Sequence, residues 1–282
     1  MTVLVIGSTS EVGAEVARLL LTDGIAVRAM RRRPGAPVPA GAEPVDGDLH
    51  DPASLAAAFE DIERVFLISS PAREQVELET NAIEVAERTG VSHVVKISNL
   101  PIDGVDTGLH GNHRAIERRL AGSTVGSTVL QPSFFASVLA RQVDGLRRGG
   151  LVLPTGDGAV AWIDPRDIAA VAAAVLADPA PAAGPLRLTG AEALTADALA
   201  ARLATVLGRP VELVQPPLDR WAAALVDRGM DPWLVESTVH LYRAVARGAL
   251  AGVSPDVERV LGRPPRPIDE WVRERLLPQL DA

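Results

Sequence analysis

The first thirteen residues constrain the fold of this chain more than any other stretch. Val3–Ile6 is an unbroken apolar run of the kind that forms a strand covered on both faces. Gly7-Ser8-Thr9-Ser10-Glu11-Val12-Gly13 follows at once and opens an amphipathic helix, Glu11–Leu21, with Val12, Val16, Leu19 and Leu20 on one face. In such a turn the first glycine permits the bend and the last permits close packing of helix on strand. The helix N-terminus then offers unpaired N–H groups and a positive dipole to a pyrophosphate. Ser10 stands where the middle glycine of the pattern would be, and is expected to weaken or reshape phosphate contact. An ordinary strand–turn–helix without a ligand is the competing reading, but the strand before and the helix after favour a dinucleotide site.

The next strand, Ile25–Met30, closes on Arg31-Arg32-Arg33-Pro34-Gly35. At this place a carboxylate would hold a ribose 2′-hydroxyl, whereas an arginine would hold a 2′-phosphate. Arg31 and Arg32 occupy it with no acid nearby in the sequence, and a guanidinium grips phosphate bidentately. Lys96 is the only lysine in the chain, so a solvated run of arginines is the alternative.

Strands and helices continue to alternate. The pattern predicts a short strand at Val45–Gly47, a helix at Pro52–Phe59, a strand at Val65–Ser69 and a helix at Gln75–Thr89. Strand Val94–Ile97, helix His113–Ala121, strand Thr128–Leu130 and helix Phe135–Arg148 come next. This order implies an α/β fold, a doubly wound parallel sheet of the Rossmann type with right-handed crossovers. Beyond Gly149-Gly150 the text changes: a turn at Pro154–Gly158, an extended segment at Trp162–Arg166 and an apolar helix at Ile168–Leu176. A linker rich in proline and alanine, Asp178–Pro185, leads to a strand at Leu186–Leu188. Helices follow near Ala196–Leu207, Leu218–Arg228, Trp233–Arg247 and Ile268–Leu277. We therefore expect a nucleotide-binding domain over residues 1–180 and a smaller, mostly helical substrate lobe over 181–282, with an approximate border and interleaved segments.

Several classes of function are excluded or disfavoured. Cysteine is absent, which removes disulfides, thiolate zinc sites and cysteine nucleophiles. Neither a carboxylate–histidine cluster with metal spacing nor a Gly-x-Ser-x-Gly elbow occurs. A net charge of −8 disfavours binding to nucleic acid. The longest apolar run, Ile168–Ala177, falls short of the roughly 18 residues a membrane span needs. The N-terminus reads as a strand and not as a cleavable signal, so a cytoplasmic protein is expected.

Taken in order, Gly-Ser-Thr-Ser-Glu-Val-Gly, Val-Arg-Ala-Met-Arg-Arg-Arg-Pro and Gly-Asp-Leu-His-Asp-Pro-Ala-Ser-Leu resemble the NmrA-like group of atypical short-chain dehydrogenase/reductases. Val-Val-Lys-Ile-Ser-Asn-Leu, Gln-Pro-Ser-Phe-Phe, Trp-Ile-Asp-Pro-Arg-Asp-Ile-Ala-Ala-Val and Asp-Val-Glu-Arg-Val-Leu-Gly-Arg-Pro-Pro carry the resemblance to near the C-terminus. The resemblance implies NADP(H) as cofactor. It places the diphosphate over Gly7, Thr9, Ser10, Glu11, Val12 and Gly13, and the adenosine phosphate on Arg32 with Arg31 nearby. It puts adenine against Asp48 and Leu49, and the nicotinamide ribose beside Ser69 and Ser70. The nicotinamide itself falls near Ser98, Asn99, Pro132 and Ser133. Lys96 matches a family strand residue; lying inside a strand, it is expected to face away from the crevice and not to be catalytic.

The wider superfamily pairs a tyrosine proton donor with a lysine four residues on. This chain has Leu109 and His113 at those places, and its only tyrosine, Tyr242, lies far along the sequence. His113, with Glu117 one turn on, matches NmrA-like usage and serves as acid, base or hydrogen-bond donor, or is a structural histidine bonded to Glu117 or backbone. His110 is expected to be an exposed loop residue. Asn99, Phe134, Phe135, Trp162 and Trp233 are candidates for a substrate pocket, the alternative being that the rings fill a second core. The expected function is an NADP(H)-dependent oxidoreductase acting on a small apolar, quinone-like or carbonyl substrate. A non-catalytic NADP(H)-sensing regulator and a cofactor-independent natural-product enzyme remain as alternatives. A homodimer is the one assembly considered.

Overall fold

The computed structural model describes residues 1–180 and 184–281. In chain order it runs β1 (Thr2–Ile6), α1 (Glu11–Thr22), β2 (Ala26–Arg31), β3 (Glu43–Asp46), α2 (Leu55–Ala58), β4 (Arg64–Leu67), α3 (Gln75–Thr89), β5 (His93–Ile97), α4 (Gly108–Ala121) and β6 (Gly126–Pro132). A 3-10 segment (Ala136–Gln142), α5 (Val143–Arg147), β7 (Gly150–Val152), α6 (Pro165–Ala177), β8 (Leu186–Leu188), α7 (Ala196–Leu207) and β9 (Glu212–Val214) follow. The chain finishes with α8 (Leu218–Asp227), α9 (Pro232–Ala246), α10 (Asp256–Leu261), α11 (Ile268–Trp271), a π turn (Val272–Leu276) and α12 (Leu277–Asp281).

Seven parallel strands lie in the order β3-β2-β1-β4-β5-β6-β8, so the doubly wound sheet is present. β1 is central because both of its faces are apolar. Val3 and Val5 pack with Val16 and Leu20 of α1 and Val171 of α6, while Leu4 and Ile6 pack with Leu55, Phe59 and Ile83 on the other side. Each such side chain contributes about 1.5–3 kcal/mol on leaving water. The strand order reverses between β1 and β4, and the crevice outside their carboxyl ends is where this fold binds ligands.

A second core holds Leu139, Trp162, Leu199, Leu203, Val245 and Trp271. It draws on the segments after β5 and β6 as well as on the C-terminal helices. β8, past the expected border, pairs with β6 in the main sheet (Leu130 with Leu186), and Val257 of α10 joins the first core. A cut at 180/181 therefore does not separate the two cores. Of the expected linker Asp178–Pro185, residues 181–183 lie outside the described residues.

Other departures have local causes. The expected helix Phe135–Arg148 begins as a 3-10 segment, because Phe135 is extended and bridges Ile163. The expected extended segment Trp162–Arg166 ends early: Asp164 caps α6 by accepting from the Arg166 N–H, and Pro165 takes the first helical position. β7 and β9, which the sequence pattern does not predict, pair with each other as a separate two-stranded sheet. β3 is an exposed edge strand in which Pro44 is tolerated, and it starts two residues before the expected one.

Candidate functional site

The glycines of the first turn are required by contact. Gly7 has φ +80°, and a Cβ there would sit 2.4 Å from the Ile68 carbonyl oxygen; a Cβ on Gly13 would sit 2.2 Å from the Gly7 oxygen. Ser10 is half-buried in the turn. Its hydroxyl folds back into the turn, donating to the Gly7 carbonyl at 2.8 Å and accepting the Gly13 N–H at 3.0 Å, which makes it the N-cap of α1. The amides of Glu11 and Val12 have no acceptor among the described residues at the helix start. Thr9 is exposed, and the neighbouring Ser8 is buried, tying the turn to β2 through the Met30 carbonyl at 2.8 Å.

At the end of β2 the two arginines part company. Arg31 is paired with Asp46, its register partner on β3, at 2.6 Å, and also donates to the Ala36 carbonyl. The sequence reading found no acid near this place; strand pairing brings one, and it occupies Arg31. Arg32 is exposed and makes no side-chain hydrogen bond among the described residues. Asp48 is held below the usual carboxylate range by the His50 backbone N–H and then its ring. Leu49, beside it, receives the Asn81 amide on its carbonyl.

Past β4, Ser69 turns inward and donates to Glu79 at 2.7 Å, while Ser70 is exposed. Past β5, Ser98 donates to Glu117 at 2.5 Å, and Gln131 of β6 donates to the same carboxylate at 3.1 Å. Glu117 is thus engaged away from His113. Asn99 is half-buried at the edge. Pro132, the last residue of β6, and Ser133 just past it are buried, and the Ser133 hydroxyl has no partner among the described residues.

His113, 8% exposed, meets not Glu117 but Lys96, whose Nζ lies 3.2 Å from its Nδ1. The Lys96 head group is fully buried where β5 meets α3 and α4, against Glu79, the Ile97 carbonyl and His113. Burial, then the Lys96 ammonium, then His110 hold His113 well below the ordinary imidazole value. His110 is not an exposed loop residue: it lies inside α4, 5% exposed, and burial, followed by Arg114 and His240, takes it down to about 4.

The rings expected around a substrate are divided. Phe134 stacks at 5.3 Å on Trp162 and 5.7 Å on Tyr242, and Trp221 lies edge-on to Tyr242 at 5.0 Å. Phe135 points the other way, into the first core, because adjacent residues in extended chain face opposite sides. Trp233 is apart from both, beneath the Arg73 guanidinium at 5.7 Å. Tyr242, remote in sequence, is part of the aromatic group; burial pushes its phenol up to about 12. Glu79 and Asp46 were missed, because only the fold brings them beside Lys96 and Arg31. A lysine alone among arginines, inside a strand, was the single available signal.

A reversed strand order, a glycine turn at a helix start and an arginine past the second strand define a nucleotide-binding protein of the doubly wound α/β class. The chain belongs to the NmrA-like family, whose pattern matches residues 1–270. It is 34% identical over 277 residues to the (4-alkanoyl-5-oxo-2,5-dihydrofuran-3-yl)methyl phosphate reductase of Streptomyces griseus, covering 96% of this chain and 97% of that one. It is 32% identical over 280 residues to the NAD(P)H azoreductase of Xenophilus azovorans, covering 96% of each chain. The structure of the NADPH-dependent quinone oxidoreductase of Escherichia coli in complex with NADPH superposes with a TM-score of 0.85 at 26% identity, over 96% of this chain and 98% of that one. No helix among the described residues is long and apolar enough to cross a membrane.

Proposed function

We propose that the protein is an NADP(H)-dependent reductase of small, electron-poor acceptors such as quinones. The observation that carries this reading is the turn from Gly7 to Gly13, closed so tightly that neither glycine can bear a side chain, with the Glu11 and Val12 amides beside it lacking an acceptor among the described residues. The residues present fit a dinucleotide. Arg32 is exposed, with no side-chain hydrogen bond among the described residues and only an electrostatic interaction with Asp48, which leaves its guanidinium able to take a 2′-phosphate. The Ser133 hydroxyl, without a partner among the described residues, would suit the nicotinamide end. When bound, the reduced cofactor supplies a hydride. The protein's own part is to bind it, to orient an acceptor against Phe134 and Trp162, and to stabilise the negative charge that appears there.

The acceptor class follows from what the site lacks. The one tyrosine has a raised pKa, and His113 is neutral and deeply set, so no group at the crevice is a ready acid. An acceptor that delocalises its new charge takes its proton from solvent. The three relatives are named for acceptors of this kind: an azo compound, a quinone, and a dihydrofuranone activated by two carbonyls. Titration of the purified protein with NADPH and NADH, followed by cofactor oxidation with a panel of quinones, tests the reading. Tight NADPH binding without turnover of any acceptor would replace it with a cofactor-sensing regulator.

A further inference from the structure

Between β5 and α3 lies a buried ion pair that the proposed function does not use. Lys96 of β5 and Glu79 of α3 are both 0% exposed, their charged atoms 2.6 Å apart. Burying two ions is frequently no better for stability than an apolar pair of equal volume, so the pair calls for a reason beyond packing. Its hydrogen bonds supply one. An ammonium has three N–H groups and no lone pair, so every contact it makes is a donation. Lys96 pairs with Glu79 Oε2 as an ion pair without hydrogen-bond geometry, and directs N–H groups to the Ile97 carbonyl at 2.5 Å and to His113 Nδ1 at 3.2 Å. The other Glu79 oxygen is saturated by Ser69 at 2.7 Å and Gln75 at 3.1 Å, which orients the carboxylate toward Lys96.

His113 Nδ1 is therefore an acceptor, and the single proton of the neutral ring sits on Nε2. Nε2 has no partner among the described residues and is not sealed from solvent. Building on the reductase reading, we propose that Lys96 and Glu79 are positioning residues that lock His113 as the neutral Nε2–H tautomer. In that form His113 donates a hydrogen bond to the acceptor atom on which negative charge appears. The acceptor takes two electrons and one hydrogen as hydride, its charge rests against Nε2–H, and the second proton comes from solvent. His113 ends the step as it began.

Burial, then the Lys96 ammonium, then His110 favour the neutral form of His113. Lys96 faces it from β5 with Glu79 behind, His110 and Arg114 share its own helix, and His240 of α9 faces His110. Glu117, the one carboxylate a turn away, is held by Ser98 and Gln131. A donor of fixed tautomer has no inflection in kcat near the ordinary imidazole value of 6.5.

The test is nitrogen-15 NMR of the histidine rings in the NADP⁺-loaded protein, from about pH 5.5 to about pH 8.5. We expect His113 Nδ1 to stay unprotonated and Nε2 protonated throughout. Lys96→Met should bring a second tautomer and titration at higher pH, with cofactor affinity unchanged. His113→Gln, which keeps an N–H at the same reach, should hold kcat within about tenfold, whereas His113→Leu should lose about 10²–10³-fold. A wild-type His113 that titrates near 6.5, or carries its proton on Nδ1, would overturn the lock even if Lys96→Met does not fold. A locked tautomer in a protein that oxidises no NADPH would instead overturn the reductase reading and leave the lock standing.

Discussion

Cofactor preference turns on one arginine of the pair, and the structure says which. Arg31 points two of its N–H groups at the protein, to Asp46 at 2.6 Å and to Ala36 at 3.1 Å, whereas Arg32 has no hydrogen-bond acceptor among the described residues. Arg32→Ala is therefore the perturbation that removes the charge-assisted contact to a 2′-phosphate. Such a contact is worth about 1.5–3 kcal/mol, or roughly ten- to a hundred-fold in affinity. Because Arg32 is open to water, the lower end applies, near tenfold, and the loss should shrink further as salt rises. NADH has no phosphate at that place and should bind the variant as it binds the wild type. Asp46→Ala gives the opposite sign: it releases Arg31 and removes a negative charge, so NADPH should tighten a few-fold with NADH unmoved. Calorimetric titration of the three proteins with both cofactors, at two salt concentrations, measures all of this. Equal wild-type affinities for NADPH and NADH, or an Arg32→Ala variant that loses both equally, would show that the arginine faces solvent and no phosphate.

Further outcomes are expected from the same geometry. Gly13→Ala should abolish dinucleotide binding in the same titration, since its Cβ would lie 2.2 Å from the Gly7 carbonyl oxygen and the turn must open. Ser10→Ala should cost about 0.5–2 kcal/mol in chemical denaturation by uncapping α1, and Ser10→Gly should leave NADPH affinity unchanged, contrary to a crowding role. His110 is neutral in the fold down to about 4 but protonates near 6.5 once unfolded, so stability is complete above 6.5 and falls as pH drops through that window. At about pH 5 the His110 share of the loss is about 2 kcal/mol by linkage, and His110→Gln should remove that share, leaving the parts due to His113 and His93, in urea titrations at two pH values. Quinones should be reduced at least about 10²-fold faster than unactivated ketones, whose alkoxide needs general acid catalysis worth about 10²–10⁴-fold; comparable rates would reveal an acid that the crevice does not show.

The layered α/β architecture was legible because it rests on short-range pattern. An apolar run such as Val3–Ile6 has no stable place except between two layers, and a glycine pair around a helix start has few uses. The same local logic located the crevice, since the carboxyl ends of parallel strands lie where each strand's text stops. It failed where a residue's meaning depends on what lies across a gap in sequence. Arg31 and Arg32 read alike until strand pairing set Asp46 against the first. Phe134 and Phe135 read as one pocket until extended backbone sent them to different cores. Ser10 read as an obstruction until its hydroxyl closed the turn. His113 read as a partner of Glu117, one helical turn away, but Ser98 and Gln131 hold that carboxylate and a strand lysine takes the ring instead. The protonation and tautomer of a buried group are decided by which charges and lone pairs surround it in space, and helices and strands far apart in the chain supply those.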